Sequence, residues 1–122
     1  MANDFKRFVK KDIGTGEGAS GSTVYTVPSS SSTAMESIVI GITIANKSTA
    51  GITCDVFLDA LGGASDDVYI VKDASIPAGS SLEVMSGNKL VLQGDGTDND
   101  IIKMTSSTAS AADGIVSVLE DV

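Results

Sequence analysis

The chain has 122 residues, with 16 Asp and Glu against 8 Lys and Arg, no His, and a net charge of −8. That is the length of one domain, and without His it lacks both the commonest general base and the commonest metal ligand, so no Ser-His-Asp or Cys-His nucleophile system can be built. Cys54, the single thiol, can neither close an internal disulfide nor supply a structural zinc site, and so acidic a surface repels nucleic acid, leaving proteins or small molecules as the expected partners.

The leader MANDFKRFVKKDI carries charges where a signal peptide needs its apolar run, so no export signal is expected and the chain is expected to be made in the cytoplasm. Residues 1–12 hold Lys6, Arg7, Lys10 and Lys11 against Asp4 and Asp12, a net of +2, which leaves −10 on the remaining 110 residues. The leader admits two readings. One is an edge strand whose lysines discourage unwanted pairing. The other is an arm that docks on an acidic neighbouring subunit, with Phe5 and Phe8 as apolar anchors and Lys6, Arg7, Lys10 and Lys11 as the charged contacts. The Gly-rich residues 14–21 favour the arm, because a flexible tether of that length spans roughly 15 Å, whereas strands of one sheet are usually joined by turns of two to five residues. The expected division is therefore a basic arm at 1–13, a linker at 14–21 and a body at 22–122.

Within the linker, Gly16-Glu17-Gly18-Ala19-Ser20-Gly21 matches the G-x-G-x-x-G spacing of dinucleotide sites. That fingerprint needs a following helix to present its dipole to a pyrophosphate. Here the strand-like Ser22-Thr23-Val24-Tyr25-Thr26-Val27 follows, ended by Pro28, so no cofactor is expected.

The body alternates with period 2 throughout. Ile38, Ile40, Ile42 and Ile44 share one face of a run whose other face is also barely polar, the pattern of a central strand. At nine residues, Ser37 to Ala45 is far too short for the roughly 20 that span a membrane as a helix. Asn46-Lys47-Ser48 then reads as a turn in preference to a glycosylation site. Ile52 to Asp59 alternates cleanly, with Cys54 as a small buried hydrophobe. Further strands are expected at 68–72, 82–85, 90–92, 101–105 and 115–119. Between them, Ile76-Pro77-Ala78-Gly79 fits a type I turn and Ser86-Gly87-Asn88 a second reversal. The core is expected to contain Ile40, Ile42, Val56, Leu58, Ile70, Leu82, Val84 and Leu92.

About eight short strands punctuated by Gly, Ser, Asp and Pro indicate an all-β antiparallel sandwich, either a jelly roll or an immunoglobulin-like fold. Gly94-Asp95-Gly96-Thr97-Asp98-Asn99-Asp100 offers oxygen donors at short spacing, but an EF-hand register fails because Asp100 and Ser106 fall where Gly and Glu are required. The loop is expected to be an acidic hairpin, with no bound metal. Asp66-Asp67 and Glu120-Asp121 are acid pairs in positions where carboxylates stay solvated, so no catalytic residues are expected.

The segments Val24-Tyr25-Thr26-Val27-Pro28, Ile40 to Asn46, Tyr69 to Leu82, Lys89-Leu90-Val91-Leu92 and Val116 to Glu120 resemble small virion structural proteins of tailed phages, especially phages of aquatic bacteria. The resemblance covers roughly residues 22–120 and leaves out the basic leader. It implies a non-catalytic β-sandwich in the virion, a homo-oligomer whose partners are other virion proteins, placed as capsid decoration or as a neck or tail accessory. The alternative expectation is a carbohydrate- or host-surface-binding module.

Overall fold

The structure is a computed structural model, and it describes residues 3–16, 20–28, 33–60, 67–85 and 89–121. Among these residues there are nine strands and no α-helix: β1 (Asn3–Lys10), β2 (Ser22–Thr26), β3 (Met35–Asn46), β4 (Ile52–Asp59), β5 (Asp67–Ile76), β6 (Ser81–Glu83), β7 (Leu90–Gly94), β8 (Ile101–Ser106) and β9 (Ala112–Asp121). The antiparallel ladders nest in sequence. β4 pairs β5, β3 pairs β6 and β7, β2 pairs β8, and β1 pairs β9, as in one long hairpin closed between β4 and β5. Rolling that hairpin up adds the β3–β9 and β4–β8 ladders. Two sheets result, a five-stranded sheet A ordered β1-β9-β3-β6 with β7 also on β3, and a four-stranded sheet B ordered β2-β8-β4-β5. This is the strand order of a jelly roll, which decides between the two sandwich types left open by the sequence.

The core lies between the sheets. Val39, Ile42, Ile44, Leu92, Val116 and Val118 from sheet A meet Val24, Tyr25, Ile52, Cys54, Val56, Ile76, Ile102 and Met104 from sheet B. Of the expected core, Ile42, Val56 and Leu92 are fully buried, and Leu58, Ile70, Leu82 and Val84 pack against the cluster half-buried. Ile40 is a correction: it is 41% exposed. A bulge between Val39 and Gly41 shifts the register of β3 against β9, so Val39 and Ile42 both point inward and Ile40 is turned out. The isoleucine alternation runs straight through the bulge, which is why the sequence conceals it.

The turn at Pro77 is also displaced by one residue. Ser80 N–H donates to Pro77 O at 3.1 Å, so the reversal is Pro77 to Ser80, and Gly79 at its third position has φ +72°. A type II turn requires that conformation, and Gly adopts it without strain. The second expected reversal, 86–88, lies outside the described residues. Asn46 does form a turn, and it is buried. Its Nδ2 donates to the carbonyls of Ala50 and Ile76 at 2.8 and 3.0 Å, and its Oδ1 accepts from Ser48 N–H at 2.9 Å.

The leader is the largest correction. Residues 3–10 are a strand of the chain's own sheet, paired with β9 over eight positions from Asn3↔Asp121 to Lys10↔Gly114. Ile13 follows as a fully buried core residue whose N–H donates to Ala112 O at 2.8 Å. The start of the expected linker is likewise engaged on β8 and β2. Gly14 O accepts from Ser106 N–H, Gly14 N–H donates to Ser22 Oγ, and Gly16 O accepts from Thr105 Oγ1 at 2.6 Å. Three of the four hydrogen bonds that fix residues 13–16 reach β8 and β9, about 90 residues away, and no local composition signals them.

Candidate docking surface

The β1–β9 register sorts the leader into two faces. Residues opposite each other on antiparallel strands point the same way. Lys6 and Phe8, opposite the buried Val118 and Val116, face inward, whereas Phe5, Arg7 and Val9, opposite Leu119, Ser117 and Ile115, face outward. The six candidate docking residues are therefore divided between the two faces: Lys6 and Phe8 tie β1 to the body, Phe5 and Arg7 lie on the outer face, and Lys10 and Lys11 are exposed where β1 ends.

The inward pair meets a polar group inside the sandwich that the sequence reading misplaced. Glu120, expected to be solvated, is 1% exposed because β9 runs on to Asp121 and its alternation carries Glu120 inward after Val116 and Val118. Tyr25 O–H donates to Glu120 Oε2 at 2.6 Å, and the Lys6 ammonium stands 3.0 Å from Oε1. The phenol has one proton to give, so the Ser37 hydroxyl, 2.6 Å away, donates to the phenol oxygen. Phe8 packs its ring on Tyr25, with centroids 4.6 Å apart. The hydrogen bond and charge of Glu120 hold the Lys6 ammonium above its ordinary pKa. Burial, followed by the hydrogen bond to Glu120, pushes the Tyr25 phenol well above its ordinary value of 10. An acid whose folded pKa is raised contributes stability fully below its unfolded pKa and loses it as pH rises through the folded one. Stability is therefore expected to fall from about pH 10 upward. Tyr25→Phe should lose about 1.5–3 kcal/mol at neutral pH, the worth of a hydrogen bond to a charged group, and should flatten the alkaline decline in a urea titration repeated across pH. An unchanged pH slope would contradict the assignment.

The turn after β1 is fixed by charge. Asp113 accepts from Asp12 N–H at 2.9 Å, and Lys47 pairs with Asp113 at 2.9 Å and with Asp12. The Asp12 N–H and then Lys47 hold the Asp113 carboxyl below the usual range.

On the outer face of sheet A the registers align apolar side chains into rows. Phe5 on β1 neighbours Leu119 on β9, which neighbours Ile38 on β3, which neighbours Val91 on β7. Phe5 is 76% and Val91 57% exposed, with Leu119 and Ile38 half-buried between them. Ile40, turned out by its bulge, lies beside the Ser117–Arg7 row, and Val9 and Ile115 form the next. Of the large hydrophobics exposed among the described residues, Phe5, Val9, Ile40, Val91 and Ile115 all belong to this face, and Val68 and Tyr69 lie on β5. An exposed apolar surface gathered on one side of a protein is the usual mark of an interaction site.

Sheet B offers less. Its outer face buries the Lys103–Asp59 ion pair, 3.2 Å apart, together with Phe57. Asp55 accepts from Asp73 N–H at 2.7 Å, and Asp73 adopts φ +53° where the β4–β5 register shifts. A hollow of about 220 Å³ beside them is lined by Thr15, Thr53, Asp55, Asp73, Thr105, Ser106 and Ser107. The nearby Tyr69 ring is taken up by Phe57, with centroids 5.3 Å apart, and by Lys72, 4.8 Å above it. In the acidic loop Asp95 Oδ1 accepts from Thr97 and Asp98 N–H at 2.9 and 2.7 Å, which holds its carboxyl below the usual range. Asp100 is buried and accepts from Gln93 N–H at 2.8 Å. These bonds make a closed hairpin loop, and among the described residues no three His, Cys, Asp or Glu side chains converge as for a metal. In the G-x-G-x-x-G segment, residues 17–19 lie outside the described residues, and the strand β2 follows it.

Compared with family models, curated proteins and solved structures, the chain matches none.

Proposed function

We propose that the chain is a non-catalytic structural component of a tailed-phage virion, assembling with other virion proteins on a larger lattice or ring as capsid decoration or as a neck or tail accessory. The observation that supports this most is the outer face of sheet A: ordered rows of exposed apolar side chains, edged on β1 by Arg7, with Lys11 just past the end of the strand. Such a surface suits protein, because aromatic, aliphatic and Arg side chains make the buried centres of protein interfaces. The resemblance of residues 22–120 points to the same role, and jelly rolls build viral capsids, though by analogy of fold alone. The test is the protein composition of purified particles of the encoding phage. The chain should be present at a stoichiometric copy number, and absence from intact particles would overturn the reading.

The second reading is a carbohydrate- or host-surface-binding module. The hydroxyl- and carboxylate-lined hollow on sheet B favours it, and jelly rolls also occur in lectins. The stacking surface such sites use is not offered by Tyr69, whose ring is engaged by Phe57 and Lys72. Glycan-array binding lost on Asp55→Asn would support it over the first reading.

A further inference from the structure

We infer that the outer face of sheet A is covered by the same face of a second copy of the chain, related by a two-fold axis running parallel to the strands. The inference rests on the assembly role proposed above and names the partner that the apolar face takes.

Charge is distributed unevenly across the face. Arg7 projects from β1 on this face at one lateral edge, with Lys11 exposed just past the end of the strand. At the opposite edge Glu83 on β6 lies level with Thr43, whose hydroxyl donates to its carboxylate at 3.3 Å, and Glu36 on β3 lies level with Gln93 on β7. Lys89, exposed just before β7, offsets one of these acids and leaves that edge negative. The face is thus basic along one edge, apolar across the middle and acidic along the other.

Two copies can meet face to face about an in-plane axis in two ways. An axis across the strands lays β1 on β1, which sets the basic edge, Arg7 and Lys11, against its own copy and is repelled. An axis along the strands reverses the lateral order, so β1 of each copy lies over β6 and β7 of the other. The apolar rows then match themselves: Phe5 meets Val91, and Leu119 meets Ile38. Arg7 lies one row, roughly 7 Å, from the level of Glu83, within reach of a long guanidinium side chain. Each contact occurs twice, as a two-fold requires. Sheets packed face to face in this way keep their strands within about 30° of one another, which the pairing tolerates. The most exposed aromatic of the face, Phe5, is the anchor and Val91 its receptor.

Sedimentation equilibrium of the full chain, from about 1 µM to 1 mM, the range in which weak to moderate association is measurable, should show a monomer–dimer equilibrium that weakens with added salt as the Arg7–Glu83 attraction is screened. Val91→Glu should leave the melting temperature unchanged, because Val91 projects to solvent, and should give a monomer. Arg7→Glu should weaken the dimer at least tenfold, and the double variant R7E/E83R should recover it, since the two-fold restores both reversed pairs together. A folded chain that stays monomeric over the whole range overturns the inference, as does a dimer indifferent to both V91E and R7E, or one that the charge exchange does not rescue. A monomeric chain that is nonetheless present in particles would remove this inference and leave the assembly role standing. A dimer with this mutational pattern and absence from particles would do the reverse.

Discussion

A chain lacking residues 1–13 is expected to lose its fold. Read by composition, the leader is a detachable arm, and its removal should leave a soluble body. The structure inverts that expectation, because the deletion takes away far more than a charged tail. It removes the eight-residue ladder that completes sheet A. It removes Ile13, which is fully buried, and Phe8, whose ring covers Tyr25. It also takes Lys6 from Glu120, leaving a carboxylate that is 1% exposed without its cation. Deleting one large buried aliphatic side chain costs about 2–5 kcal/mol, and depriving a buried charge of its partner adds a penalty of similar order. Against a total stability of about 5–15 kcal/mol for a domain, these losses together are expected to unfold it. Far-ultraviolet circular dichroism and a thermal melt of the truncated chain decide the matter, and a cooperative melt within a few degrees of the full chain would show β1 to be dispensable. Truncation to Lys6 is the informative control, since it removes Phe5 from the outer face and keeps the inward-facing Lys6, Phe8 and Ile13.

The second large effect is expected at Ile42. It is fully buried on β3, the strand that carries ladders to β9, β6 and β7 and so joins the halves of sheet A. It sits directly after the bulge, opposite Val116 and next along the inner face to Ile44. Truncation to Ala removes three carbons from the space between the sheets, where facing side chains cannot collapse without bending a strand paired on both sides. The expected cost is about 2–5 kcal/mol, read as a lower denaturant midpoint with an unchanged slope. Ile40→Ala is the matched control two residues away. Because the bulge turns Ile40 outward, its loss should cost less than about 0.5 kcal/mol, the usual limit for surface positions. Equal costs at the two sites would mean that the bulge is misplaced.

These two positions show what local pattern can and cannot reveal. Period-2 alternation and turn residues were enough to identify the strands of the body and their antiparallel class, because each strand needs only its own apolar face to be recognisable. The register was not legible. Ile38, Ile40, Ile42 and Ile44 form an unbroken alternation, and only the extra residue opposite Ser117 divides them, Ile38 and Ile40 to the outer face and Ile42 and Ile44 to the core. The same limit explains Glu120. A carboxylate two residues from the end of the chain reads as solvated, and nothing local announces Tyr25 and Lys6 as its partners from 95 and 114 residues away. It also explains the leader. Its alternation of Phe5, Arg7 and Val9 against Lys6 and Phe8 is a strand pattern, but the charge and the glycines that follow suggested a tether, whereas residues 13–16 are held by hydrogen bonds to residues about 90 positions away. The apolar outer face could not be read from sequence either, since its rows draw one or two residues each from β1, β9, β3 and β7 and exist only once those strands are in register.

The claim on which the account turns is that the outer face of sheet A is the assembly surface, and hydroxyl-radical footprinting of the chain alone at high dilution and in purified particles tests it most directly. Phe5, Ile115 and Leu119 should react in the dilute chain and be shielded in the particle, while Tyr69, on the opposite sheet, keeps its reactivity. Equal labelling of Phe5 and Ile115 in both states, or protection confined to Tyr69 and its neighbours on β5, would contradict it.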